Sequence, residues 1–251
     1  MKYIILTGSS KGLGEGIALA LLKESHHLIC ISRTHNDHLQ QLAEANNLTA
    51  TQILFDLGFT DELPLLVTGI FEQIRVDVAK GVYLINNAGV IEPVNRSEYN
   101  TVGEIDRHLR INLMAPMVLS GAFIKHTCDW KIQKRILNIS SGAAVNPYAG
   151  WSAYCSSKAG LNVFSSCVAQ EQQNQQFPVE IMSVAPGIID TRMQEVIRAT
   201  TKEQFALRQK FVDFKESGQL EAPKMTGKKI AELLFSKDFV NGGFIDLRSK
   251  G

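Results

Sequence analysis

"YIILTGSSKGLGEG", residues 3–16, decides the fold. Tyr3 to Thr7 is an apolar run of strand length, and the pattern from Gly14 to Ser25 is that of a helix following it. Glycines at 8, 12 and 14 fall where the strand becomes the helix, the context a dinucleotide site requires. Glycine lets the backbone approach a ligand closely, and the helix N-terminus offers free N–H groups and a positive dipole end to a pyrophosphate. The other reading is a glycine-rich turn with no ligand; its place directly behind the first strand favours the ligand.

Working outward, apolar runs of strand length keep alternating with amphipathic segments. Strands are expected at 27–32, 51–57, 82–89, 135–140, 179–187 and 242–247, and helices at 37–46, 61–78, 102–128 and 151–176. Pro116 must kink the helix over 102–128 or sit near a helix start. Continuous apolar strands separated by helices imply a parallel sheet covered on both faces, an α/β, Rossmann-type doubly wound fold in a single domain. The polar, helical stretch 188–221 interrupts the pattern and reads as an insertion over a site.

Composition narrows the class. The 251 residues are 45% hydrophobic and 20% charged with net charge +1, an ordinary globular balance that gives no reason to expect nucleic acid or an anionic membrane surface. Cys30, Cys128, Cys155 and Cys167 are scattered, with no spacing for zinc, so no metal is expected and the thiols read as reduced in a cytoplasmic protein. No window approaches the ~20 apolar residues of a membrane span.

The spacing Gly-x-x-x-Gly-x-Gly, from Gly8 through Gly12 to Gly14, resembles the short-chain dehydrogenase/reductase family, and later motifs extend the likeness. The resemblance implies a nicotinamide cofactor held by Gly8, Ser10, Lys11, Gly12, Leu13 and Gly14. An acid at the end of the second strand would favour NAD; here stands "ISRT", with Arg33. Arg33 and Lys11 together suit a 2′-phosphate and favour NADP(H), although either alone reads equally as a solvated cation. Asp56 and Leu57 match the family's adenine-contacting pair. "NNAG" (86–89) matches its cofactor-lining turn, with Asn86 structural and Asn87, Ala88 and Gly89 along the cofactor. "APGIIDT" (185–191) matches the element facing the nicotinamide carboxamide, through Pro186, Gly187, Ile188, Ile189 and Thr191.

The catalytic stretch is "NPYAGWSAYCSSKAG" (146–160). Tyr154 and Lys158, four apart, share a helix face. A free tyrosine titrates near ~10, too high for acid–base work at neutral pH, and a neighbouring cation favours its ionised form. Ser141, thirteen positions before Tyr154, has the family's serine-to-tyrosine spacing, which selects it over Ser140. Asn112 in "RINLMAP" matches the fourth catalytic residue, though a satisfied buried Asn would look the same. The resemblance implies that Tyr154 donates the proton, Ser141 holds the carbonyl oxygen, Lys158 also binds ribose and cofactor, and Asn112 keeps a relay water.

For substrate, Tyr148, Trp151 and Met193 read as pocket walls, Cys155 as packing, and 188–221 as a lid closing over an apolar carbonyl compound. "GWSAYCSSKA" and "FVNGGFIDLRS" are similar to sepiapterin reductases and to bacterial reductases of diketones such as benzil, with Asp246 at the pterin-anchoring carboxylate; Arg192 and the tail after Asp246 depart from the pterin pattern. A vicinal dicarbonyl is the favoured substrate. A 3-oxoacyl thioester and a non-catalytic nucleotide sensor are the alternatives; a sensor would show gaps among the four catalytic positions, and none is missing. The resemblance also implies a homodimer paired through the helices bearing Asn112 and Tyr154.

Overall fold

In a computed structural model, which describes residues 1–250, seven strands form one parallel sheet in the order β3-β2-β1-β4-β5-β6-β7. They are β1 (Lys2–Thr7), β2 (His26–Ser32), β3 (Thr49–Leu54), β4 (Gly81–Asn86), β5 (Gln133–Ile139), β6 (Glu180–Ala185) and β7 (Phe244–Asp246). The helices are α1 (Gly12–Leu21), α2 (Asp37–Ala45), α3 (Leu63–Phe71), α4 (Val102–Leu109), α5 (Ala115–Thr127), α6 (Ser152–Gln172), α7 (Arg192–Ala199), α8 (Arg208–Glu216) and α9 (Pro223–Phe235).

Strand alternation produces two cores. Tyr3 and Ile5 face one side with Ile29, Val82 and Leu84, where they pack against α3, α5 and α6. Ile4 and Leu6 face the other with Leu28, Tyr83 and Ile85, against α1 and α9. The chain order reverses between β1 and β4, so the crevice beyond their C-terminal ends is where such a sheet binds ligands. Helices α1 and α9 cross very closely. A Cβ on Gly16 would strike the Pro223 carbonyl, and one on Gly227 the backbone of Gly16.

The helix expected from Gly14 to Ser25 ends at Leu21 and the one over 151–176 at Gln172, and two others depart further. The one expected over 61–78 ends at Phe71, after which tight turns bring Arg75 back so that its N–H donates to the Tyr3 hydroxyl at 3.3 Å. The one expected over 102–128 is divided by a π-helical stretch, Arg110–Met114, with Pro116 in the first turn of α5. The break falls ahead of the proline and contains Asn112.

The excursion 188–221 leaves and re-enters the body at one place. Ile189 bridges Glu221, the Asp190 N–H donates to the Glu221 carbonyl at 3.0 Å, and the Glu221 N–H donates to the Ile188 carbonyl at 2.9 Å. Its aromatic residues dock on the start of α6, where the Phe205 ring stacks on Trp151 at 4.7 Å. Gly150, at φ 90°, allows the approach, since a side chain there would meet the Gln204 carbonyl at 2.5 Å.

Candidate active site

The glycine turn forms an open cradle. Gly8 (φ 70°) and Gly12 (φ 57°) take left-handed conformations that only glycine adopts cheaply. A Cβ on Gly8 would stand 2.8 Å from the Ala88 Cα, and one on Gly14 would collide with the Gly8 carbonyl. Lys11, at the N-cap of α1, offers no side-chain acceptor to the first turn, so those N–H groups stay free for an anion. The shape and the unspent donors fit a dinucleotide pyrophosphate.

The second turn is stitched to the first: the Asn36 amide donates to the Ser9 carbonyl at 3.2 Å, and its Oδ1 caps α2 by accepting from the Leu39 N–H at 2.9 Å. Arg33, in that turn, and Lys11 are both exposed, and neither makes an ion pair among the described residues. The Asp56 Oδ1 accepts from the Gly58 N–H at 2.9 Å while Leu57 beside it is buried.

The "NNAG" residues divide by direction. The Asn86 amide reaches across the sheet to Asn138 Oδ1 at 2.8 Å and to Ser120 Oγ at 3.2 Å. The Asn87 amide turns back to the carbonyls of Thr7 and Gly8, at 2.9 and 3.1 Å, so it braces the glycine turn. Gly89 is exposed, and a Cβ there would lie 3.3 Å from Asn112 Oδ1 and 3.7 Å from Lys158 Nζ. Thr191 closes the opposite wall, its methyl 3.3 Å from where a Cβ of Gly12 would be. Thus the glycine turn meets "NNAG" at Ala88 and the segment after β6 at Thr191.

Four polar residues gather beside Gly89. Ser141 Oγ accepts from the Ala143 N–H at 3.1 Å and stands near enough to Tyr154 to lower its phenol, whereas the Ser140 hydroxyl is buried with no partner among the described residues. Lys158 Nζ sits 5.9 Å from the centre of the Tyr154 ring and donates to the Ile139 carbonyl at 2.9 Å. The Asn112 side chain clips the backbone of Val90, its Oδ1 accepting from the N–H at 2.8 Å and its Nδ2 donating to the carbonyl at 2.7 Å.

The electrostatics depart from the sequence expectation. Burial pushes the Tyr154 phenol up, with Ser141 opposing it; burial pushes Lys158 down to about 8. Desolvation is the largest cause of both shifts, and it raises the Tyr154 phenol where the sequence reading expected a neighbouring cation to lower it. Burial also raises the Cys155 thiol, which fits packing.

The substrate side is mostly aromatic. Tyr148 is half-buried with its ring 5.2 Å from Trp151, and Met193 packs in the same cluster with Phe205, Phe211 and Tyr154. Trp151 is only 6% exposed, held between α6 and the excursion, so it forms the floor on which the excursion rests. Asp246 is engaged by Arg248, whose Nε donates to Oδ1 at 2.9 Å.

Two residues went unread in the sequence. His108 is fully buried between Glu92, Ser157 and Asn112; its spacing of four before Asn112 was the available signal. Arg248 lies beside Gly142 and Gly187, and no local pattern announced it.

A doubly wound parallel sheet with a glycine cradle and a Ser-Tyr-Lys-Asn cluster at its switch point defines a nicotinamide-dependent oxidoreductase fold. The family model described as short chain dehydrogenase matches residues 2–202, and the chain belongs to that family of oxidoreductases. It is 44% identical over 245 residues to a benzil reductase ((S)-benzoin forming) of Bacillus cereus, covering 98% of each chain. It is 30% identical over 252 residues to the sepiapterin reductase of Bos taurus, covering 96% of this chain and 92% of that one. Among solved structures, the KRED1-Pglu enzyme superposes with a TM-score of 0.83 at 29% identity, over 97% of this chain and 100% of that one. No helix among the described residues is long and apolar enough to cross a membrane.

Proposed function

We propose that this chain is an NADPH-dependent carbonyl reductase acting on a vicinal diketone such as benzil and yielding a chiral hydroxyketone. The observation that carries this reading is the gathering of Tyr154, Lys158 and Asn112 beside Gly89, with Lys158 Nζ 5.9 Å from the Tyr154 ring and Ser141 next to the phenol. The whole-length likeness to a benzil reductase supports the substrate class, and the exposed cations Arg33 and Lys11 support the 2′-phosphate.

Gly8, Gly12, Gly14, Lys11 and Arg33 would hold NADPH, which when bound would supply the hydride that reduces the carbonyl carbon. Ser141 donates a hydrogen bond to the carbonyl oxygen and stabilises the charge growing there. Tyr154 gives that oxygen its proton, which completes the alcohol. Lys158, oriented by the Ile139 carbonyl, lends positive charge to the phenolate left behind. Asn112 holds Val90 by two hydrogen bonds and so keeps the Ala88–Gly89 backbone in place. A water kept by Asn112 would return the proton by way of Lys158.

Residues 188–221 act as the lid, hinged where Ile189 meets Glu221, with Tyr148 and Met193 toward the substrate. The protein works as a cytoplasmic homodimer through α5 and α6, where Met117 and Val163 stand exposed at 40% and 63%. The test is purified protein with NADPH and benzil, sepiapterin or an acetoacetyl thioester, followed at the nicotinamide absorbance band. Benzil should be turned over fastest; no oxidation of NADPH with any of the three sinks the reading.

A further inference from the structure

The chain's end brings a fixed cation to the substrate face. Arg248 meets Asp246 along one edge of its guanidinium, Nε to Oδ1 at 2.9 Å and Nη2 to Oδ2 at 2.5 Å. The Arg248 backbone N–H also donates to Oδ1, at 3.0 Å. This geometry spends one hydrogen of Nε and one of Nη2. Among the described residues, both hydrogens of Nη1 and the second of Nη2 stay available.

The guanidinium spans two loops. A Cβ on Gly142, the residue after Ser141, would stand 2.8 Å from Nη2. A Cβ on Gly187, in the turn after β6, would stand 3.3 Å from the Arg248 Cγ. Tyr148 lies near enough to interact with the guanidinium charge. Glycine at 142 and 187 therefore leaves room for the arginine between the loop carrying Ser141 and the turn at the nicotinamide end. The pair is accessible to solvent beside these two loops, with side-chain exposures of 54% for Arg248 and 22% for Asp246.

Two chemical consequences follow. Both oxygens of Asp246 are engaged, so the carboxylate is a poor acceptor for a ligand with an amino-substituted edge. What the site presents instead is a rigid set of N–H donors, which a guanidinium offers best to oxygen acceptors. We propose that Arg248 determines specificity: it hydrogen-bonds a second substrate oxygen, a carbonyl or carboxylate on the carbon next to the reacting ketone. Its hold on Asp246 disfavours substrates presenting N–H donors at that place. This rests on the carbonyl-reductase reading and narrows its substrate class to ketones with a neighbouring oxygen acceptor.

The test compares wild type with Arg248→Met on three compounds: benzil, deoxybenzoin (the same two rings with one carbonyl replaced by methylene) and sepiapterin. Tryptophan quenching by NADPH verifies that the variant is folded and binds cofactor. The benzil-to-deoxybenzoin ratio of kcat/KM should fall at least tenfold in Arg248→Met, carried mainly by KM for benzil, and Arg248→Lys should recover part of it. The benzil-to-sepiapterin ratio should fall as well. Ratios within twofold of wild type, or equal losses on all three compounds, overturn the inference while leaving the reductase reading standing. Wild-type protein that oxidises NADPH with none of the three overturns both.

Discussion

The Asn112 side-chain nitrogen lies 3.0 Å from Nε2 of His108, so the residue in the π-helical stretch is held by a histidine one turn earlier. The partners assign the tautomer. The Glu92 carbonyl, 2.6 Å from Nδ1, can only accept, so Nδ1 carries the hydrogen and Nε2 is left to accept from Asn112. That in turn sets which way the Asn112 amide faces Val90. Burial pushes His108 below its ordinary range, with the Lys158 charge adding to the effect and the Glu92 carbonyl opposing it.

Removing this support should slow turnover without abolishing it. His108→Leu is expected to lower kcat about tenfold, equivalent to about 1.4 kcal/mol, with a smaller change in substrate KM. His108→Gln, which can place an amide oxygen toward Asn112, should recover part of the loss. As pH falls through the depressed pKa, an added proton on Nε2 would face the Asn112 N–H. Wild-type kcat should therefore drop on the acid side, and a His108→Leu profile with the same acid limb would exclude this assignment.

Tyr154→Phe keeps the ring and removes the proton donor. Its kcat should fall by about 10³, within the range positioned acid–base groups supply, while NADPH still binds. Stopped-flow measurement of hydride transfer together with cofactor fluorescence separates the two, and unchanged turnover would refute the role.

Arg33→Asp replaces a donor for a 2′-phosphate with a repelling charge. The NADPH-to-NADH ratio of kcat/KM should fall about 100-fold, the scale of a lost charge-assisted hydrogen bond plus repulsion. A ratio that does not move would assign the site to NAD(H) or place the phosphate elsewhere.

Lys158 carries a stability signature of its own. Its folded pKa of about 8 lies beneath the ordinary 10.5, so between these values the unfolded chain binds more protons and native stability rises with pH. Below about 8 both states are protonated and the full cost of the buried cation is present. Lys158→Met lacks this titration. It should melt above wild type at pH 7, with the gap narrowing from pH 8 to pH 10; a constant gap would show that Lys158 is not a buried cation in the folded protein.

Much of this architecture was legible along the chain because it is local. Tyr3 to Thr7 alternate sides of a sheet covered on both faces, so an unbroken apolar run has to be an inner strand. Gly8, Gly12 and Gly14 sit at a strand–helix turn whose conformation requires them, and Tyr154 and Lys158 share a face because a helix repeats every 3.6 residues. The limits of the helices were less legible. Phe71 ends α3 because the chain must turn back to meet Tyr3, and the long helix breaks ahead of Pro116 where Asn112 reaches Val90.

The sequence by itself determined the layered sheet and the glycine cradle, since short-range periodicity and spacing carry that information, while its resemblance to the short-chain dehydrogenase/reductase family pointed to Asn112, Ser141, Tyr154 and Lys158. Only the tertiary structure decided which groups hold those residues and what stands against the substrate. His108 meets Ser157 across 49 positions, and Arg248 comes to rest beside Gly142 and Gly187 from the far end of the chain. Burial, not the sign of the nearest charge, sets the direction of the Tyr154 and Lys158 shifts. These depend on packing between segments remote in sequence, and desolvation exists only once the sheet has brought them together.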